Sequence, residues 1–224
     1  MQQVLTDAGI RAQAVSRGLR IKRMNAAVAV ASGALPAVIM GLLFPPSPAR
    51  WLAGVLIGVV WANGFEYGYH RFLLHKPGTL FARNHLGHHA SVGSLTEAED
   101  LNLGGSPVWI ALLFLANGLP VITADLLFRL RTAPGTLLGF VVYVLVVEEM
   151  HWRIHLGERL PPGLNFARRH HFMHHDRPNS RYNIFFPVFD FLPGSLGPGT
   201  VKPPLLYGQE KYIPTKYRRR AGVS

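Results

Sequence analysis

Four stretches of the chain are long, apolar and almost free of charge: roughly residues 24–44, 51–69, 107–128 and 134–150. Each runs about 17 to 22 residues, enough at about 1.5 Å per residue to cross a hydrocarbon core about 30 Å thick, the last only barely. Pro36 and Pro120 interrupt the first and third; membrane helices tolerate proline where neighbours re-satisfy the freed carbonyls. The connections 45–50 and 129–133 leave room only for a turn, so the first two stretches, and the last two, should form antiparallel hairpins. The pattern predicts an all-α integral membrane protein with about four transmembrane helices in two hairpins. After residue 150 the chain becomes polar and rich in Pro and Gly, which predicts a cap of short helices and loops. No repeat of fixed period is visible. The whole, 1–224, reads as a single membrane domain: a basic N-terminal segment 1–23, a four-span core 24–150, a His-rich cap 151–200 and a basic tail 201–224.

Composition sharpens this. Of 224 residues, 49% are hydrophobic and 16% charged, against about 25% charged in soluble domains. The net charge of +11 does not point to nucleic acid, because such a domain spreads its basic residues over a polar, soluble fold. All but Arg50, Arg129 and Arg131 of the 23 Lys+Arg, hence 20, fall on the side that would hold both chain ends and residues 71–106. The positive-inside rule then places both termini in the cytoplasm of a multi-pass membrane protein, in a bacterial inner membrane in preference to endoplasmic reticulum. Residues 1–23 carry Arg11, Arg17, Arg20, Lys22 and Arg23 without an apolar core and small-residue cleavage site, so no removable signal peptide is expected. The tail with Lys211, Lys216, Arg218, Arg219 and Arg220 reads as a solvated positive-inside terminus, with a docking patch for anionic lipid or an acidic redox partner as the alternative. With no cysteine, disulfides and thiolate metal sites are excluded.

All 11 histidines fall in four short clusters: His70-x4-His75, His85-x2-His88-His89, His151-x3-His155, and His170-His171-x2-His174-His175. Helical positions three or four apart share a face, so His151 and His155 should point at one centre, as should His85 with His88 or His89, and His171 with His174 or His175. His70 and His75 are about 140° apart on an ideal helix, so either the helix ends between them or they face two metals. Neutral imidazole suits Fe, Zn, Cu and Ni. A lone metal takes three or four protein ligands; His70, His75, His85, His88, His89, His151, His155, His171, His174 and His175 therefore imply two. The remaining histidine, His170, is expected behind the ligands or exposed. Glu66, one turn before His70, and Glu148, three before His151, are expected to offset the charge of such a centre through contacts to its ligands. Asp125, far in sequence from any histidine, is expected at the membrane interface.

The ordered histidine set resembles that of the fatty acid hydroxylase superfamily, which includes sterol desaturases and C-4 methyl oxidases. The stretch 170–195, HHFMHHDRPNSRYNIFFPVFDFLPGS, is similar to its closing motif, and the resemblance runs from about residue 51 to 200. It implies roles behind the ligands for Asn183 and, in the pair Phe189-Asp190, for Asp190. It also implies a four-helix membrane core, a cytoplasmic dimetal cap and oxidation of C–H bonds by O2. The chain departs from the pattern at Ile184, at Pro193-Gly194-Ser195 and in the nine residues between the first two clusters; these departures leave the substrate open.

The expectation is a membrane diiron oxygenase that uses O2 as co-substrate to hydroxylate an unactivated C–H bond of a lipid, an acyl chain before other substrates. A desaturase, sterol methyl oxidase or carotenoid hydroxylase of the same superfamily is the alternative, and a His-rich membrane metal transporter is the non-enzyme alternative. The lipid substrate should reach the centre from the bilayer. Zinc, which binds imidazole more tightly than ferrous iron, can replace the two iron ions on purification. The chain shows no flavin, nicotinamide or heme motif, so electrons should come from a separate ferredoxin or cytochrome with its reductase.

Overall fold

The computed structural model describes residues 6–79, 81–103 and 105–196; the basic tail read above lies outside them. The described residues form helices and turns with no strand: α1 (Asp7–Ala29), α2 (Leu35–Leu43), α3 (Pro48–Tyr69), α4 (Ala82–Ser91), α5 (Pro107–Phe128), α6 (Ala133–His155) and α7 (Asn165–Asp176). Wide π turns run over Val30–Ala34 and His70–Leu74, and short 3-10 turns over Glu97–Glu99 and Phe189–Phe191.

Among the described residues, three helices are long and apolar enough to cross a membrane: Asp7–Leu43, Pro107–Phe128 and Ala133–His155. The first is longer than its apolar stretch because the basic segment before it is itself helical. Its Ala, Arg and Leu residues are good helix formers and no proline interrupts them before Pro36. Helix α3 has 22 residues, but Arg50, Asn63 and Glu66 lower its apolar content.

The described residues pack into two compact units, one drawn from residues 6–19, 66–103 and 149–196, the other from 20–65 and 105–148. In the second, α3 and α6 meet through two Gly-x3-Gly pairs. A Cβ on Gly54 or Gly58 would lie 2.3 Å from the Thr132 carbonyl oxygen or 2.2 Å from that of Thr136. Reciprocally, one on Gly135 or Gly139 would lie 2.2 Å from Trp51 O or 2.4 Å from Val55 O. Only glycine lets backbones approach so closely, which is how helices associate where lipid removes the hydrophobic drive. Phe140 takes Phe114 and Phe65 edge-on, at 5.3 and 6.1 Å between ring centres. Asn63 donates to the Tyr143 hydroxyl, and Trp61 Nε1 to Asn117 Oδ1 at 2.9 Å. The outer surface is apolar: Leu42, Leu56, Leu115, Leu119, Leu127 and Phe128 are exposed, as suits side chains solvated by lipid.

Asp125 lies near the end of α5, at the turn into α6. It is buried, and its Oδ1 accepts the N–H groups of Thr132 at 2.7 Å and Ala133 at 2.8 Å. It thus satisfies donors left unpaired at the start of α6, a role set by a tight turn rather than by water.

In the first unit, α4, α7 and the ends of α3 and α6 surround the histidines. The loop 177–196 closes over α7, held by Arg181 N–H to Ser195 O at 2.8 Å. A hydroxyl contact of 2.5 Å joins Tyr67 to Ser195, whose Oγ also accepts from Arg71 at 2.9 Å.

Candidate metal centre

Ten of the eleven histidines gather into two groups of five, the potential ligand atoms of each lying within 4.8 Å of one another. One group holds His70, His75, His85, His89 and His174; the other, buried throughout, holds His88, His151, His155, His171 and His175. On the helices the split keeps one spacing. Positions i and i+4 go to the same centre (His85 with His89, His151 with His155, His171 with His175), while the residue between, His88 or His174, crosses to the other. Helices α4 and α7 therefore each serve both groups, and the groups touch: the rings of His89 and His175 are 4.2 Å apart.

His70 and His75 share a group because the backbone from His70 to Leu74 is a π turn. Its i→i+5 hydrogen bonds stack residues five apart as an α-helix stacks residues four apart, and such turns recur at functional sites.

Within the groups, Nε2 atoms face Nε2 atoms. The separations are 2.9 Å for His70–His85, His75–His85 and His155–His171, 3.0 Å for His85–His89, and 3.1 Å for His75–His174, His88–His175 and His171–His175. They are 3.2 Å for His88–His151 and His89–His174. These are not ordinary hydrogen bonds. His174 donates Nδ1–H to Ser180 O at 2.7 Å, His151 to Leu101 O at 2.9 Å, His155 to Glu97 Oε1 at 2.7 Å, and His70 to Tyr182 O. A neutral imidazole that donates through Nδ1 carries a lone pair on Nε2, so lone pairs converge. Donors at right angles around a metal at about 2.1 Å stand about 3.0 Å apart, and tetrahedral donors about 3.4 Å. The nine edges given above lie nearer the former.

Electrostatics favours the ligand form. Burial pushes His70, His85, His88, His171, His174 and His175 well below the ordinary histidine range, helped by neighbouring imidazoles, and pushes His75 down to about 4. All seven are neutral at pH 7, as metal binding requires.

A family model for fatty acid hydroxylase matches residues 55–195, which contain every histidine of both groups. The chain belongs to the fatty acid hydroxylase family. Protein CER1-like 1 of Arabidopsis thaliana is 26% identical over 159 residues, covering 66% of this chain and 24% of that protein. The chain thus spans about a quarter of that relative's length. No solved structure matches it. Membership in this family and the apolar helices together support a membrane location, and the histidine groups could hold metal ions.

The other residues that the sequence singled out for this family site fall as follows. Glu66 accepts from Asn183 Nδ2 at 2.9 Å and from Ile184 N–H at 2.8 Å, so it holds the loop whose Tyr182 carbonyl orients His70. Asp190, fully buried, accepts from Tyr182 N–H at 2.7 Å, Asn183 N–H at 2.9 Å and His170 Nε2 at 2.9 Å. His170 therefore stands apart from both groups. Glu148 is buried and falls in the other packing unit; its neighbour in sequence, Glu149, pairs with Arg153 at 2.5 Å.

The carboxylate on His155 is one that the sequence reading missed, Glu97. Its Oε2 accepts from Gly93 N–H at 2.8 Å. Burial raises its pKa to about 7, against the lowering effects of the Gly93 hydrogen bond and the Arg11 charge. Glu97 lies in a loop without periodicity, so only its place between the second and third histidine clusters could have drawn attention to it.

Proposed function

We propose that the chain is a membrane-embedded diiron oxygenase that uses O2 to hydroxylate an unactivated C–H bond of a lipid, an acyl chain first. One observation carries this reading: two touching groups, each of five imidazoles, with Nε2 edges near 3 Å. Ten imidazole ligands and no thiolate suit two ferrous ions better than a structural metal. Bound iron would supply O2 activation and the oxidising power for C–H cleavage. The protein's own part is to fix ligand orientation through Nδ1 contacts and to keep water from the buried His88 group.

In this reading α3 joins the three more apolar helices as a fourth span, both termini are cytoplasmic, and the membrane is a bacterial inner membrane. The exposed apolar side chains of α2, α3 and α5 suit a protein that draws its substrate from the bilayer. Electrons come from a separate ferredoxin or cytochrome with its reductase.

The test is lipid mass spectrometry of a host with and without the gene. A gain of one oxygen supports hydroxylation. A loss of two hydrogens assigns the chain to the family's desaturases instead. An unchanged lipid profile with altered metal uptake overturns the oxygenase reading.

A further inference from the structure

Each histidine group takes its outer acceptors from a different loop. His70 and His174 donate to the carbonyls of Tyr182 and Ser180, in the loop fastened by Asp190 and Glu66. His151 and His155 donate to Leu101 O and Glu97 Oε1, both in the segment 97–102.

That segment packs against residues 14–19 of α1. Ala14, Ala98, Leu101 and Trp152 form one buried cluster, with Val15, Leu19 and Leu156 packed against it. Gly18 lies so close that a Cβ there would be 2.1 Å from Ala98 O and 2.7 Å from the Trp152 ring. Asn102 Nδ2 donates to Gly18 O at 3.2 Å, and Arg17 bridges to Glu99 at 2.6 Å. The chain therefore runs, contact by contact, from α1 through Ala98 and Leu101 to the ring nitrogens of His151 and His155.

We propose that residues 14–18 of α1, acting through the segment 97–102, position the ligands of the His88 group alone, and that Glu97 is the positioning residue for His155. This rests on the two-metal reading above. Neither α1 nor Glu97 touches a metal; their effect is on ring orientation and ligand basicity, where loss of an outer partner typically costs about 10- to 100-fold in metal affinity.

The experiment is anaerobic Fe(II) loading of the purified full chain followed by titration with a ferrous chelator. Wild type should release two ions per chain; release of none would overturn the two-metal reading itself rather than this inference. Glu97→Gln, which keeps size and one acceptor oxygen, should weaken one ion about 10- to 100-fold and leave the other unchanged. Gly18→Ala, whose Cβ would press on Ala98 O and the Trp152 ring, should weaken the same ion. The ion is assigned in two backgrounds. With His75→Ala present, Glu97→Gln should loosen the tight ion that remains; with His171→Ala present, it should change nothing. Equal weakening of both ions, no weakening of either, or the reverse assignment would overturn the proposal.

Discussion

His170 Nε2 meets Asp190 Oδ2 at 2.9 Å, and the same carboxylate collects the N–H groups of Tyr182 and Asn183. One buried acid thereby ties α7 to the loop whose carbonyls orient His70 and His174.

Replacing Asp190 by Ala should be costly, because it leaves two buried N–H groups without an acceptor. At about 1 to 3 kcal/mol for each stranded group, the expected loss is about 2 to 6 kcal/mol. Thermal unfolding in detergent checks it, and a midpoint unchanged from wild type would contradict the role assigned to the carboxylate.

The two histidine groups should be separable by mutation. His174→Ala removes a ligand of one, His88→Ala a ligand of the other. Each should reduce tightly bound metal from two ions per chain towards one and abolish turnover, with the helices still inserted. Metal analysis of membrane-purified protein reads this directly, and wild-type content in either variant would remove that residue from the ligand set.

The metal-free chain should lose stability as the pH falls. The buried imidazoles resist protonation in the fold, His75 down to about 4, whereas the unfolded chain takes up those protons near 6.5. Below pH 6.5 the unfolded state therefore binds more protons, and stability drops between 6.5 and about 4. Metal competes for the same lone pairs, so loading should shift the loss to lower pH. Unfolding midpoints of metal-free and loaded protein across this window check both statements; a flat metal-free profile would contradict the first.

Two glycine substitutions should act in opposite directions. Gly58→Ala places a Cβ 2.2 Å from Thr136 O and should destabilise by about 1 to 3 kcal/mol, as overpacking does. Gly87→Ala, in α4, meets nothing within 4 Å and should stabilise the helix by about 0.5 to 1 kcal/mol. Chemical denaturation of the two side by side is the measurement, and equal shifts would refute the close packing of α3 on α6.

Apolar runs made the helices around residues 107–128 and 134–150 readable, because a helix that crosses a hydrocarbon core must be apolar over that width. The extent of α1 was not readable in that way: its first turns are basic, and Ala14 and Gly18 pack on Ala98, Leu101 and Trp152. The histidine spacing announced convergence but not the division into two groups, since i+3 and i+4 neighbours share a helix face and only tertiary geometry separates them. The pairing of His70 with His75 depends on a π turn that no residue type in HRFLL dictates. Gly54, Gly58, Gly135 and Gly139 stood in the sequence as two small-residue motifs, yet their pairing with each other is a property of the fold. Asn183 and Asp190 entered through family resemblance, and their hydrogen bonds give them a physical reason to be there.

The crossing of ligands between groups has a mechanical consequence. His88 and His89 are bonded neighbours, as are His174 and His175, yet each pair is divided between centres. The gap between the two histidine groups is thus gauged at two points by covalent backbone. Prising the groups far apart would therefore strain the backbone of α4 and α7 themselves.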